Sequence, residues 1–286
     1  MPELPEVETI CRGLNKHLKK CRIKRVELRR PNLRFAFPKD FAPRLTGATI
    51  MRFKRRAKYL LADMRGRDNE AFIWLTHLGM TGRFNYIGKG KNAPPYDNKN
   101  AEKHVHLRVL FEGGDQLDYI DPRRFGFMDI IAGAPENNKF LAKLGPEPLS
   151  DDFNEKMLGA ALRHRQSPIK NALLDQRIVV GLGNIYVCEA LFLAGISPRR
   201  KAANMGAARI ARLVPAVRDV LQAALKAGGT TINDFATPDG QAGYFQHNFQ
   251  VYDRAGLLCS MPSCNAKIMR VKQAGRSSFF CPQCQR

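Results

Sequence analysis

The sequence predicts an α+β multidomain protein: an N-terminal antiparallel β-sandwich, a helical domain, and a small C-terminal module held by a metal. Three observations predict it. Between Ile23 and about Ile130 short β-type runs, such as residues 22–28 and 71–75, alternate with turn residues. Beyond the prolines at 135, 146 and 148 the apolar residues recur at helical spacing. The tail carries four cysteines, Cys259, Cys264, Cys281 and Cys284, at the spacing of metal ligands.

Each element follows from its own residues. The glycine-poor run 6–11 starts a helix almost at the chain's beginning, ahead of the β segments. The polar stretch 88–95 reads as a loop joining two strands. The connector around 132–152 ends the β region, and helices are expected at 154–162, 169–179, 185–193 and, rich in alanine, about 207–227. Past Gly228 and Gly229 comes a Thr/Asp/Gly-rich loop reaching Tyr244, then the cysteine-bearing tail. The expected division is a sandwich domain with its leading helix at 1–134, a linker at 135–152, a helical domain with that loop at 153–248, and the metal module at 249–286.

Charge narrows the partners. The 286 residues carry 47 Lys and Arg against 26 Asp and Glu, a net +21 spread along the chain, and the fitting partner is a polyanion, nucleic acid first. No stretch approaches the ~20 apolar residues of a spanning helix, and the first twenty lack a secretory core. A cytoplasmic protein is expected, with no membrane partner. Cys11, Cys21 and Cys188 stand singly in apolar contexts as core thiols, while the other four suit one tetrahedral Zn²⁺. Four protein ligands leave no position for an activated water, so the zinc is architectural and the chemistry lies elsewhere.

Pro2 supplies a candidate. Once Met1 is removed, Pro2 is a secondary amine beside Glu3 and Glu6. An α-amine has a pKa of about 8 against about 10.4 for lysine, so far more of it is unprotonated and nucleophilic at neutral pH.

Six fragments in order carry a resemblance: the terminus at residues 1–9; the run 55–61; His77-Leu78-Gly79-Met80-Thr81-Gly82; Asp121-Pro122-Arg123-Arg124-Phe125-Gly126; Gly181-Leu182-Gly183-Asn184-Ile185-Tyr186 with Glu189; and the tail 275–282. Together they resemble the formamidopyrimidine-DNA glycosylase family over the whole chain. The resemblance implies a β-sandwich, a helix–two-turn–helix domain and a zinc finger, with damaged double-stranded DNA bound between domains by a monomer that needs no small-molecule cofactor. In a bacterial cell it would associate with the nucleoid through DNA. One departure is visible: four residues separate Cys259 from Cys264 where the family has two.

The resemblance also assigns roles. Pro2 attacks the sugar C1′, Glu3 transfers a proton, Glu6 supports both, Lys58 donates a proton in β-elimination, and Arg276 binds phosphate and serves δ-elimination. Met80, Arg123 and Phe125 fill the void left by an extruded nucleotide. His104, Arg165, Lys170 and Asn184 are candidate phosphate contacts. The segment 228–245 resembles the loop over the everted base in the branch preferring oxidised purines such as 8-oxoguanine. An endonuclease VIII-like enzyme for oxidised pyrimidines and a non-catalytic zinc-containing DNA-binding protein are the competing readings.

Overall fold

The computed structural model describes residues 2–90, 102–230 and 243–286. The expected loop at 88–95 lies mostly outside them, as does the centre of the 228–245 segment. Two compact units form, Met1–Ala142 with Ala227–Tyr244, and Lys143–Lys226 with Phe245–Arg286.

The first unit opens on helix α1 (Leu4–Leu18), whose Leu4, Val7, Ile10, Leu14 and Leu18 recur at helical spacing and are all buried. Strand β1 (Ile23–Leu28) and the short helix α2 (Phe41–Leu45) follow, then β2 (Thr49–Arg56), β3 (Tyr59–Arg65), β4 (Ala71–His77), β5 (Arg83–Ile87), β6 (Val105–Phe111), β7 (Gln116–Ile120) and β8 (Phe127–Ile131). They form two antiparallel four-stranded sheets, ordered β2-β3-β4-β8 and β1-β6-β7-β5. The expected sandwich is present. One core joins both sheets to α1 and α2, with Trp74 edge-on to Phe41 and Phe84 at its centre. Helix α1 also covers the open edge of β2, where Asn15 accepts the Phe53 N–H at 2.8 Å and donates to the Phe53 carbonyl at 2.8 Å. An asparagine side chain thus stands in for a neighbouring strand.

The second unit contains α3 (Glu155–Leu162), capped by Asn154, then α4 (Ile169–Leu173), α5 (Asn184–Leu193) and α6 (Gly206–Lys226). The sequence extended α4 to Val179, and the structure ends it at Leu173. Side chains capture the backbone there: Asp175 accepts the Arg177 N–H at 3.0 Å, and Gln176 accepts the Gly181 N–H at 2.8 Å while donating to the Leu182 carbonyl at 3.0 Å. Ile178 and Val179 stay buried, so the apolar spacing persists without the helix. Helix, two turns and helix is the result. The tail forms the hairpin β9 (Met269–Gln273) and β10 (Arg276–Phe280) around Ala274 and Gly275, both at positive φ, as a tight two-residue hairpin turn requires. Among the described residues no helix is long and apolar enough to cross a membrane.

Candidate functional site

In the first unit the chain's beginning is drawn inward. Pro2 is half-buried, and Glu3 and Glu6 are buried. Glu3 is the N-cap of α1 and closes a capping box with Glu6, whose Oε2 accepts the Glu3 N–H at 2.9 Å. The other oxygen of Glu6 accepts both the Thr230 N–H at 2.9 Å and the Thr230 hydroxyl at 3.0 Å. One carboxylate therefore fixes the residue after Pro2 and ties it to the root of the segment that the sequence reading placed over the everted base.

Helix α1 is set against β2 by Asn15 on Phe53 and by Glu8 on Arg55, the latter at 3.0 Å. Two side-chain contacts seven residues apart on the helix thus hold α1 along β2, with the Glu8 contact next to the β2–β3 connection. That connection holds Ala57 in the left-handed region, its carbonyl accepting from the Arg55 guanidinium at 3.1 Å, followed by Lys58 at 8% exposure. Burial pushes the nearby His77 down to about 4, and the charges of Lys58 and Arg34 push the same way. Its Nδ1 accordingly acts as an acceptor, from the Gly79 N–H at 3.1 Å, and its ring stacks on Phe127.

The two motifs with the void-filling candidates come together, Gly79 of one against Phe125 of the other. Met80 is 37% exposed and Phe125 44%, unusual for large apolar side chains, and the Arg123 guanidinium lies 4.6 Å from the Phe125 ring centre. Beneath them Asp121 is fully buried and accepts from the Thr81 hydroxyl at 2.6 Å, the Gly126 N–H at 2.9 Å and the Tyr119 hydroxyl at 3.3 Å. Gly79, at φ +67°, lies against the Phe125 backbone where a Cβ would collide. A cavity of about 570 Å³ beside Phe125 is lined by Asn32, Leu33, Arg34, Arg123 and Arg124. His104 is half-buried at its rim of the sheet, its carbonyl accepting the Asp121 N–H at 3.1 Å. Asp121 and Thr81 stand inside the two motifs, and the resemblance assigns neither a role.

In the second unit two of the phosphate candidates, Lys170 and Asn184, converge on the hairpin. Lys170 is fully buried, and its ammonium donates to the Ser277 carbonyl at 2.8 Å and the Ser278 hydroxyl at 2.6 Å. Asn184 begins α5, and its Nδ2 donates to the same Ser277 carbonyl at 2.9 Å. Arg276, the neighbour of Ser277, is exposed. Arg165 is half-buried and paired to Asp175 at 3.1 Å, and Asp175 is held near 2, chiefly by the Arg177 guanidinium. Glu189, also without an assigned role, is buried in α5 and accepts the backbone N–H groups of Gln250, Val251 and Tyr252 at 2.8–3.0 Å. It pins the chain leading to the finger.

The thiol sulfurs of Cys259, Cys264, Cys281 and Cys284 all lie within 4.8 Å of one another. A tetrahedral zinc with bonds of about 2.3 Å sets its sulfurs about 3.8 Å apart, and the pairs Cys259–Cys284 and Cys264–Cys281 stand at 3.9 and 3.6 Å. The longer first knuckle leaves this geometry intact. Cys11 and Cys188 are buried thiols, and burial pushes Cys11 up to about 12.

A strongly basic chain with a four-thiolate finger, a helix–two-turn–helix and a half-buried terminal proline defines a zinc-containing nucleic-acid-binding protein with a candidate amine nucleophile. Comparison with known proteins carries this further. Residues 1–128 match the formamidopyrimidine-DNA glycosylase N-terminal domain, 144–236 the formamidopyrimidine-DNA glycosylase H2TH domain, and 262–286 the zinc finger found in FPG and IleRS. Formamidopyrimidine-DNA glycosylases of Ruegeria pomeroyi and Caulobacter vibrioides are 50% and 48% identical, each over the full length of both chains. The wild-type Lactococcus lactis Fpg, solved with N7-benzyl-Fapy-dG DNA, superposes with a TM-score of 0.87 at 36% identity over both whole chains. The same enzyme with abasic-site DNA gives 0.86 over 99% of each. The chain belongs to the formamidopyrimidine-DNA glycosylase family.

Proposed function

We propose that this protein is a bifunctional DNA glycosylase and AP lyase that removes oxidised purines, 8-oxoguanine and formamidopyrimidines, from duplex DNA. The observation that carries the reading is the terminus: a half-buried Pro2 followed by a buried, capped Glu3, in a chain matching the family from end to end. After removal of Met1 the Pro2 nitrogen attacks C1′ as the damaged base departs, so that the N-glycosidic bond is exchanged for a C–N bond, which becomes an iminium ion when the C1′–O4′ bond breaks and O4′ takes a proton. Glu3 delivers the proton that opens the sugar ring, and Glu6 keeps Glu3 in place. Lys58 serves proton transfer in β-elimination, and Arg276 holds the phosphate that leaves in δ-elimination, giving a one-nucleotide gap.

Met80, Arg123 and Phe125 enter the stack where the nucleotide leaves. His104, Arg165 and Asn184 contact phosphates. Lys170 acts on the same backbone from behind, by fixing the hairpin that bears Arg276. The functional division runs 1–134, 135–152, 153–248 and 249–286, although the described residues 227–230 and 243–244 belong to the first unit. Zinc closes the finger and takes no part in the reaction. The protein works as a monomer in the cytoplasm, gathered on the nucleoid by its charge.

Oxidised pyrimidines are the second reading, because the Lactococcus lactis relative has also been solved with DNA containing one. Turnover on duplexes carrying 8-oxoguanine or thymine glycol separates the two. Faster release of 8-oxoguanine is expected, and a clear preference for thymine glycol would reverse the assignment.

A further inference from the structure

We propose that the Thr81 hydroxyl is a positioning group for nucleotide extrusion, joining the loop of Met80 to the loop of Arg123 and Phe125 so that the three side chains enter the duplex as one body. The inference rests on the function proposed above and adds a residue to it. A hydroxyl has one proton to give and two lone pairs to offer. Thr81 gives its proton to the buried Asp121 carboxylate at 2.6 Å, a short charge-assisted bond, and accepts the Arg123 N–H at 3.2 Å. It therefore spans the two loops, one residue from Met80 and on the backbone of Arg123 itself.

The anchor beneath is rigid. The second oxygen of Asp121 takes the Gly126 N–H and the Tyr119 hydroxyl, its carbonyl meets His106 Nε2 at 2.8 Å and the Arg124 N–H at 3.1 Å, and its own N–H goes to the His104 carbonyl. Arg124 is held at φ +55°, and Phe125 after it is exposed. Gly82 and Gly126 leave room for the Tyr119 hydroxyl that their side chains would occupy. Met80 and Phe125 stay exposed above this hub, in the arrangement an inserted wedge needs before it meets the stack. Groups locked before binding lose less entropy on insertion. Without the Thr81 bridge the loops keep their packing at Gly79 and Phe125 but lose the hydrogen bond that ties the loop of Met80 to the backbone of Arg123.

Thr81→Val removes the hydroxyl and keeps the branched shape, while Thr81→Ser keeps the hydroxyl. Both are made in the full-length, zinc-loaded protein, with Trp74 fluorescence reporting the sandwich core. Two single-turnover rates are read: excision of 8-oxoguanine opposite cytosine, which requires a base pair to open, and borohydride adduct formation on a preformed abasic duplex, which does not. Loss of one hydrogen bond to a buried carboxylate predicts that Thr81→Val slows excision about tenfold and the abasic adduct less than about threefold. Thr81→Ser is expected within about twofold of wild type on both, since the bond is kept. Equal losses on the two substrates would reduce Thr81 to a scaffold residue and overturn the proposal, as would unchanged excision by Thr81→Val. A wild-type protein that forms no adduct would instead count against the proposed function.

Discussion

The loops bearing Met80 and Arg123 and the hairpin bearing Arg276 are held by opposite chemistries. The first pair is organised by one buried carboxylate, Asp121, and the donors that converge on it. The hairpin is flanked in sequence by the four cysteines of the zinc site, and a buried ammonium and an amide both donate to its Ser277 carbonyl. The difference follows from what each can bury. The loops ride on an eight-stranded sandwich whose core already fixes Asp121, whereas a two-stranded hairpin is too small to build a core and needs its metal.

Zinc removal is the strongest way to break the comparison. Because binding to a structural zinc site is worth on the order of 10 kcal/mol of folding free energy, chelation should unfold the finger and lower DNA affinity about 100-fold. Trp74, the chain's single tryptophan, lies in the sandwich core and its fluorescence should not change. Unaltered DNA binding by zinc-free protein would contradict the division of labour.

Acid should strike the other region. His77 is lowered to about 4 in the folded protein from an ordinary 6.5. As pH falls below about 6.5 the unfolded chain takes up a proton that the folded chain refuses, so stability is full above that pH and declines until about 4. The loss reaches about 3 kcal/mol at the bottom of the window. Denaturant unfolding at pH 7 and 4.5 measures it, and His77→Asn, which keeps an acceptor for the Gly79 N–H, should flatten the slope. An equally steep slope in the variant would place the acid sensitivity elsewhere.

Lys170→Met gives the smallest effect and sharpens the contrast. It strips the Ser277 carbonyl and the Ser278 hydroxyl of a charged donor, at a cost of about 2 kcal/mol to the second unit. One zinc per chain should remain bound. A variant with wild-type thermal stability and DNA affinity would show that the hairpin depends on zinc alone.

Periodicity and spacing made much of this legible in the sequence. The apolar face of α1, the alternating strands and the four cysteines are local signals, and each produced its element in the right place. The end of α4 was hidden, because Asp175 and Gln176 capture the backbone with side chains while the apolar spacing of Ile178 and Val179 continues past the break. The hub under Met80 was hidden for another reason. Asp121 and Thr81 lie forty residues apart, and nothing in either motif states that they meet. Lys170 read as a candidate phosphate contact, and its burial could not be seen because it depends on Ser277 and Ser278 more than a hundred positions away. Local chemistry could be read along the chain, and long-range hydrogen bonds could not.

The freed nitrogen of Pro2 is expected to form the covalent link to the sugar. Borohydride trapping on an abasic duplex tests it most directly, comparing Met1-processed protein with the same protein acetylated at its terminus. An adduct is expected from the first and none from the second. Equal trapping by both would contradict it.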